Sequence, residues 1–454
     1  MGISRRAFLH GLAAGAGAFA LGPGILRAAT GRRKPNFIVI FTDDQGYQDL
    51  GCFGSPDIRT PHIDRMATEG MKFTDFYVAA PVCSPSRAAL LTGCYPARIG
   101  FTFGALYPGI SRGLNPKEIT IADLLKREGY ATTCIGKWHV GGPHKPYMPT
   151  SRGFDSFFGM IASNDYRKAP LYRGLEVIEK KPDQSQLTQR YTQEAIQFIK
   201  ANREKPFFLY LPHTMPHVPL SASEKFAGKS KRGPYGDAIE EIDWSTGEIL
   251  KTLKELGLDE DTLVIFTSDN GPWTSKGKDG GSAAPWVGGK FKPTEGGHRV
   301  PCVMRWPGTI PAGRTCEEFV SNAVDLPSTF CEAAGAPIPD TFSGVSLLGS
   351  ACGTGGTCRQ DIFSSYHGNQ FGAFTQRMVR DRRWKYVWNA TDTDELYDLD
   401  SDPGELVNRL RDPACAAELQ RLRGRMVAWM KEIGDPMCNR WTASTIEEGR
   451  QVWG

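Results

Sequence analysis

The chain lacks the features that mark several large protein classes. After residue 29 it has no apolar run long enough to span a bilayer. None of its eleven cysteines has the close paired spacing of a zinc ribbon or redox motif. It lacks surplus charge as well. The formal net charge is +4, and Arg5, Arg6 and Arg27 fall within residues 1–29 with no acid, which leaves +1. A near-neutral chain offers no electrostatic argument for a nucleic-acid partner. Histidine is scarce, with eight in 454 residues, so three of them standing just beyond apolar runs is suggestive. Glycine (51) and proline (31) are plentiful and spread throughout, which suits a loop-rich enzyme. Hydrophobic content of 40% and charged content of 23% are ordinary for a soluble globular protein of one large domain or two.

Residues 1–29 read as a twin-arginine signal peptide. Ser4-Arg5-Arg6-Ala7-Phe8-Leu9 opens it, an alanine- and glycine-rich apolar stretch follows to Leu26, and small residues stand at Ala28-Ala29. The alternative is a membrane anchor, which the glycines and short length disfavour. This reading predicts export of a folded protein by the Tat translocase to the periplasm or beyond, with no permanent membrane span. With Cys83 set aside, ten cysteines remain, enough for disulfides there. Cys352 and Cys358 bracket a glycine-rich loop and are the best local pair. Cys134 lies in an apolar strand and reads as a reduced core cysteine.

Asn36 to Phe41 is a near-continuous apolar run, the pattern of a strand buried on both faces. It ends in Thr42-Asp43-Asp44. Thr262 to Ser268 repeats the layout and ends in Asp269-Asn270. Ala131 to Ile135 leads to Lys137 and His139, and Phe207 to Leu211 leads to His213 and His217. Helices are predicted at Ile121 to Glu128 with Thr120 as N-cap, Tyr191 to Lys200, and Ala238 to Leu256. The order predicts an α/β fold with a mostly parallel central sheet flanked by helices. After about residue 360 the pattern changes to two strand-like runs in Phe374 to Trp388 and a period-3.6 stretch from Cys415 to Ile433. We therefore divide the chain into a catalytic α/β domain over 30–360 and a smaller C-terminal subdomain, antiparallel sheet plus helix, over 361–454.

Polar groups collect beyond strand ends, where open parallel sheets place active sites. Asp43 and Asp44 repel each other, and a hard divalent cation relieves that repulsion. Asp269 and Asn270 add oxygen donors, a set suited to calcium or magnesium and not to zinc. Arg87 stands one helical turn after Cys83 if a helix begins near Ser84, with Pro85 in its first turn. Lys137, His139, His213, His217 and Lys290 offer proton transfer and charge neutralisation near such a cation.

The run Cys83-Ser84-Pro85-Ser86-Arg87-Ala88-Ala89-Leu90-Leu91-Thr92-Gly93 and the tetrad Gly136-Lys137-Trp138-His139 resemble the two signatures of the formylglycine-dependent sulfatases of the alkaline phosphatase superfamily. Thr42-Asp43-Asp44, Pro216-His217-Val218-Pro219, Ser268-Asp269-Asn270-Gly271, the stretch from Lys290 to Pro301 and Glu395-Leu396-Tyr397-Asp398-Leu399 extend the likeness. It is greatest to arylsulfatases and the galactosamine-6-sulfatase-like group. The resemblance implies an alkaline phosphatase-like fold and calcium-dependent hydrolysis of an aryl sulfate or sulfated carbohydrate. It implies that a formylglycine-generating enzyme oxidises Cys83, reading Pro85 and Arg87. The hydrated aldehyde then has a second hydroxyl through which sulfate is expelled, a route that a thiol lacks. By the same resemblance Asp43, Asp44, Asp269, Asn270 and the modified Cys83 hold one calcium. Besides holding the calcium, Asp269 takes the attacking hydroxyl's proton. Arg87 and Lys137 hold the hydrate, His139 accepts a proton, and His217 and Lys290 bind a sulfate oxygen and assist the leaving group. His213 is the alternative to His217.

Two other readings stand beside this one: a phosphodiester or phosphonate monoester hydrolase of the same superfamily, and a non-catalytic carbohydrate-binding protein. The single oxygen-rich cluster disfavours a two-metal phosphatase, and the intact Cys-x-Pro-x-Arg run disfavours the binding protein. Candidates for the substrate wall are His144, Asp165, Tyr166, Arg167, His298, His367 and Asn369.

Overall fold

A computed structural model describes residues 33–166, 169–352, 359–368 and 374–449. The signal segment, Arg167, Cys358 and Asn369 lie outside them. Six strands form the heart of a ten-stranded sheet: β1 (Asn36–Thr42), β2 (Ala131–Lys137), β3 (Ser156–Met160), β4 (Phe207–Pro212), β5 (Thr262–Ser268) and β6 (Cys302–Arg305). Their spatial order is β6-β5-β1-β4-β2-β3. The pairs β5–β1, β1–β4, β4–β2 and β2–β3 are parallel, and β6 joins β5 antiparallel. Short strands extend both edges: Met71–Phe73 and Arg314–Cys316 beyond β6, and Leu171–Arg173 and Glu176–Glu179 beyond β3.

All seven residues of β1 are buried, which explains the missing polar alternation. Its side chains divide between two cores. Phe37, Val39 and Phe41 pack with Leu90 and Leu91 of α1 (Cys83–Thr92) on one face. Ile38 and Ile40 pack on the other with Tyr191 of α2 (Leu187–Ala201) and Ile239 and Ile242 of α3 (Pro234–Glu255). That is the period-2 rule for a strand with helices on both faces. Each such side chain contributes roughly 1.5–3 kcal/mol on burial. Asn36 staples the strand's start to both neighbours: its Nδ2 donates to Thr262 Oγ1 (3.1 Å) and its Oδ1 accepts from Phe207 N (3.2 Å).

Thr120 caps Ile121–Arg127 through a capping box with Asp123. The four C-terminal strands, Ile362–Gly368, Phe374–Arg380, Trp384–Asn389 and Glu395–Asp398, make an antiparallel sheet. Leu419, Leu422, Met426 and Trp429 of α5 (Ala416–Glu432) cover it, while α4 (Asn322–Ala334) packs on the main sheet through Leu326 and Phe330. A buried charge network ties the two sheets together. Glu295 accepts from Tyr77 Oη (2.6 Å) and from Arg380 Nη1 (2.9 Å), and Lys385 Nζ reaches both Glu405 (2.6 Å) and Glu295 (3.4 Å).

Cys134 is fully buried in β2 as a free thiol, and Cys52, Cys94, Cys302, Cys331, Cys415 and Cys438 are also free. The expected Cys352–Cys358 pairing falls partly outside the described residues. Among the described residues no helix is long and apolar enough to cross a membrane.

Candidate active site

Four strand ends converge on one buried centre. Asp43 and Asp44 follow β1, Asp269 and Asn270 follow β5, Lys137 ends β2, and His217 lies in the loop after β4. Asp44 has φ 63°. This left-handed turn, uncommon outside glycine, breaks the strand alternation, and both carboxylates come to one centre. His139 has φ 57° and turns back in the same way just past β2. Gly136 has no alternative residue, because a Cβ there would sit 1.9 Å from the Pro212 carbonyl oxygen.

Helix α1 begins at Cys83, one residue earlier than expected, with Val82 as its extended N-cap. The Cys83 thiol is buried at a helix N-terminus, an end that favours anions. Arg87, one turn on, is fully buried and stacks 5.3 Å from the Phe41 ring. Its Nε and Nη2 donate to Asp269 Oδ2 (2.9 and 2.7 Å), Nη2 lies 3.4 Å from Asp43, and Nη1 donates to the Lys137 carbonyl (3.1 Å). Lys137 Nζ donates to Asp43 Oδ2 and to Ser163 Oγ (3.1 Å). Lys290 Nζ and Asn270 Nδ2 each donate to Asp44 at 2.7 Å.

Carboxylate oxygens of Asp43 and Asp44 and a ring nitrogen of His217 lie within 4.8 Å of one another, a buried cluster able to hold a metal. His217 Nε2 stands 3.6 Å from Asp44, and Asp269, whose Oδ2 accepts from Arg87, stands beside the same centre. Two oxygen acceptors at the centre, Asp43 Oδ1 and Asn270 Oδ1, are buried without a hydrogen-bond partner among the described residues. Orphaned hard oxygens of this kind fit a hard divalent cation.

The electrostatics agree. Burial pushes the Asp43 carboxyl up, but Lys137, then Arg87, His217 and Lys290, together hold it well below the usual carboxylate range. Burial and the charge of Asp43 push Asp269 up to about 7 despite Arg87. Two carboxylates this close split apart, because the charge on one disfavours ionisation of the other. Burial pushes the Cys83 thiol up to about 11, against the pull of Lys137 and Lys290. An unmodified Cys83 is therefore a protonated, weak nucleophile at neutral pH. Burial, then Lys137, holds His139 well below the ordinary imidazole range. Its Nε2 pairs with the Leu106 carbonyl (2.8 Å), and its Nδ1 is buried with no partner among the described residues. Donation from Nε2 leaves Nδ1 as a free proton acceptor.

A cavity of about 170 Å³ opens onto this centre, lined by Cys83, His139, His217 and Lys290 and by Tyr107, Ser163, Asp165, Tyr166, Trp273 and Phe291. Of the expected wall residues, Asp165 and Tyr166 belong to it. His144 is exposed elsewhere, His298 is buried against the Thr294 carbonyl, and His367 lies in the C-terminal sheet. His213 is fully buried, 6.3 Å from the Tyr191 ring, and is not among the residues that line the cavity. Sequence reasoning missed Tyr107 and Trp273. Their only signal was an aromatic in a glycine- or proline-rich loop.

The sulfatase family model matches residues 35–336, and a model described as N-sulphoglucosamine sulphohydrolase, C-terminal, matches residues 290–432. The chain belongs to the sulfatase family. Human arylsulfatase A is 37% identical, with 83% of this chain and 84% of that protein covered. Canine N-acetylgalactosamine-6-sulfatase is 39% identical, with 84% and 78% covered. Among solved structures, Ps i-CgsB superposes with a TM-score of 0.80 at 30% identity, covering 92% of this chain and 98% of that one. PsFucS1 sulfatase from Pseudoalteromonas sp. gives 0.79 at 28%, covering 90% and 93%. This sulfatase is accordingly a sulfuric ester hydrolase, and its buried acidic cluster lies beside the cysteine that its family converts to formylglycine.

Proposed function

We propose that a formylglycine-generating enzyme converts Cys83, and that the mature enzyme holds one calcium and hydrolyses sulfate esters of carbohydrates in the periplasm or outside the cell. The observation that carries this reading is the chemistry at Cys83. The Cys83 side chain stands at a helix N-terminus, an end that favours anions, and lines one cavity with His139, His217 and Lys290.

Asp43, Asp44, Asp269 and Asn270 would hold the calcium, with the modified Cys83 completing the set. The formylglycine hydrate would supply a nucleophilic hydroxyl and a second hydroxyl for release, and calcium would supply positive charge at the sulfate oxygens. The protein's own residues do the rest. Arg87 and Lys137 neutralise charge beside Cys83. Asp269, held by Arg87 at the end of β5, is the carboxylate placed to take the attacking hydroxyl's proton. His139 offers Nδ1 as a second proton acceptor, fixed by the bond from Nε2 to Leu106. Lys290 and His217 line the opposite wall, where they orient a sulfate oxygen and stabilise the leaving oxygen. Asp43, Asp44 and Asp269 face Arg87, Lys137 and Lys290, so the charges balance without a cation. With a divalent ion bound between them, this residue set would carry net positive charge, which would favour an anionic substrate.

The carbohydrate reading draws support from relatives. Two are named N-acetylgalactosamine-6-sulfatase and Ps i-CgsB, the latter solved in complex with k-i-k-neocarrahexaose. The test has two parts. Mass measurement of the Cys83 peptide after export from the natural host is expected to show formylglycine. Cys83→Ala is expected to abolish aryl sulfate turnover while keeping the fold. Unmodified Cys83 in an active enzyme, or near-wild-type turnover by the variant, would sink the reading. Robust aryl phosphate turnover with no aryl sulfate turnover would favour the phosphodiester or phosphonate alternative.

A further inference from the structure

The cavity at Cys83 is small for a whole substrate. At about 170 Å³ it falls below the roughly 300–1,000 Å³ usual for a ligand site. It does not end there. A second cavity of about 430 Å³ shares Trp273, Lys290 and Phe291 with it and continues outward along Lys292, Tyr366 and Gln376. A substrate that presents its sulfate to Cys83 past this shared wall extends its remainder into the second space.

The second cavity has a distinct chemistry. Aromatic rings dominate it, with Phe291 6.2 Å from Tyr366 and 5.6 Å from Trp273. Such faces suit the apolar faces of a sugar ring. It contains two lysines and no carboxylate. Lys290 is engaged with Asp44, but Lys292 is exposed and makes no ion pair among the described residues. Lys276 stands nearby, 4.2 Å from the Trp273 ring centre, adding positive potential.

Resting on the sulfated-carbohydrate reading above, we infer that the second cavity seats the sugar next to the sulfated one, and that Lys292 pairs with an anionic group on that neighbour. The enzyme then prefers an acidic oligosaccharide over a sulfated monosaccharide or a neutral oligosaccharide. Lys292 is a specificity residue and takes no part in the chemistry.

The experiment compares kcat/KM of the mature, calcium-loaded enzyme with Lys292→Ala and Lys292→Glu. The probes are an aryl sulfate, N-acetylgalactosamine 6-sulfate alone, and the same sugar joined to galactose, to glucuronate or to sulfated galactose. The wild type is expected to favour an acidic neighbour. A partly exposed charge pair predicts that Lys292→Ala loses about three- to tenfold on that probe, through KM, and Lys292→Glu loses more. The aryl sulfate and the galactose-linked probe are expected to stay within about twofold. Loss confined to one acidic neighbour identifies carboxylate or sulfate as the anion. No wild-type preference for an acidic neighbour, or equal losses on neutral and acidic probes, overturns the inference. Failure of the wild type on the aryl sulfate and on every sugar overturns the underlying reading instead.

Discussion

Lys290→Met tests the catalytic assignment most directly. Lys290 has two tasks in the structure. Its ammonium pairs with Asp44 at 2.7 Å and lies 4.6 Å from the Trp273 ring centre, and it lines both cavities. Methionine keeps the stem's packing and removes only the charge. Loss of one positioned donor to a developing oxyanion costs about 10²–10³ in kcat, or about 2.7–4 kcal/mol of transition-state stabilisation. The ground state also changes. Breaking a buried pair costs about 3–5 kcal/mol when the remaining charge is left alone. Asp44 is not left alone, because Asn270 Nδ2 still donates to it at 2.7 Å. Added calcium compensates further, so the stability loss is expected to be larger in chelator than in calcium. The assay is steady-state aryl sulfate hydrolysis at saturating calcium, with the mass of the Cys83 peptide confirming equal formylglycine content. Urea denaturation with and without calcium follows the stability. A kcat/KM within about threefold of wild type, at equal formylglycine, would refute the role given to Lys290.

Calcium is expected to raise the unfolding free energy by about 2.7 kcal/mol at a hundredfold excess over Kd, and Asp44→Asn to lose most of that gain; calorimetry showing the same calcium shift in both proteins removes Asp44 from the site. Burial pulls His213 and His298 down to about 3. Below pH 6.5 the unfolded chain therefore binds protons that the folded one refuses, and stability falls as pH falls from about 6.5 towards 3. Two such groups give a slope of up to about 2.7 kcal/mol per pH unit. Replacing His213 by Phe should flatten the urea-midpoint profile over that window, and an unchanged slope would show that His213 titrates normally. Lys385→Met strips Glu405 of its cation at 2.6 Å and weakens the tie between the sheets, for a loss of about 3–5 kcal/mol. A urea-derived loss below about 1 kcal/mol would mean that Glu405 sheds its charge at little cost.

The central strands were legible because they carry no alternation. A run such as Asn36 to Phe41 has one simple explanation, helices on both faces, and the division of Phe37, Val39 and Phe41 from Ile38 and Ile40 bears it out. The heptad-like spacing of Leu419, Leu422, Met426 and Trp429 revealed α5 for a different reason: one face is buried and the opposite one is not. The edge strand Glu176–Glu179 was invisible because Val177 and Ile178 are largely exposed and its pattern has no inside. Helix α4 was hidden by Pro327 within it. Proline normally argues against a helix interior, yet Leu326 and Phe330 are almost wholly buried there. Packing overrides the local signal at that point.

The site divides along similar lines. Residues fixed to strand ends could be placed from sequence, because a strand end has a known position relative to its neighbours. Asp43, Lys137 and Asp269 are of this kind. Residues in loops could be suspected only from their chemistry. His217 and His213 are four apart and follow the same strand, and no periodicity separates them; only the fold puts one beside Asp44 and the other behind Tyr191. The same limit applies to Trp273 and Tyr107, whose rings shape the cavity from loops without a repeating pattern. Catalysis on this scaffold thus has a rigid half and an adaptable half. The strand ends carry charges that cannot move without breaking buried pairs. The loops also carry Tyr107 and Lys292, which take no part in those pairs. Substitutions that alter substrate choice should therefore concentrate at the loop aromatics and Lys292, while those that abolish turnover concentrate at the strand ends, at the start of α1 and at His217 and Lys290, the two loop residues beside Asp44.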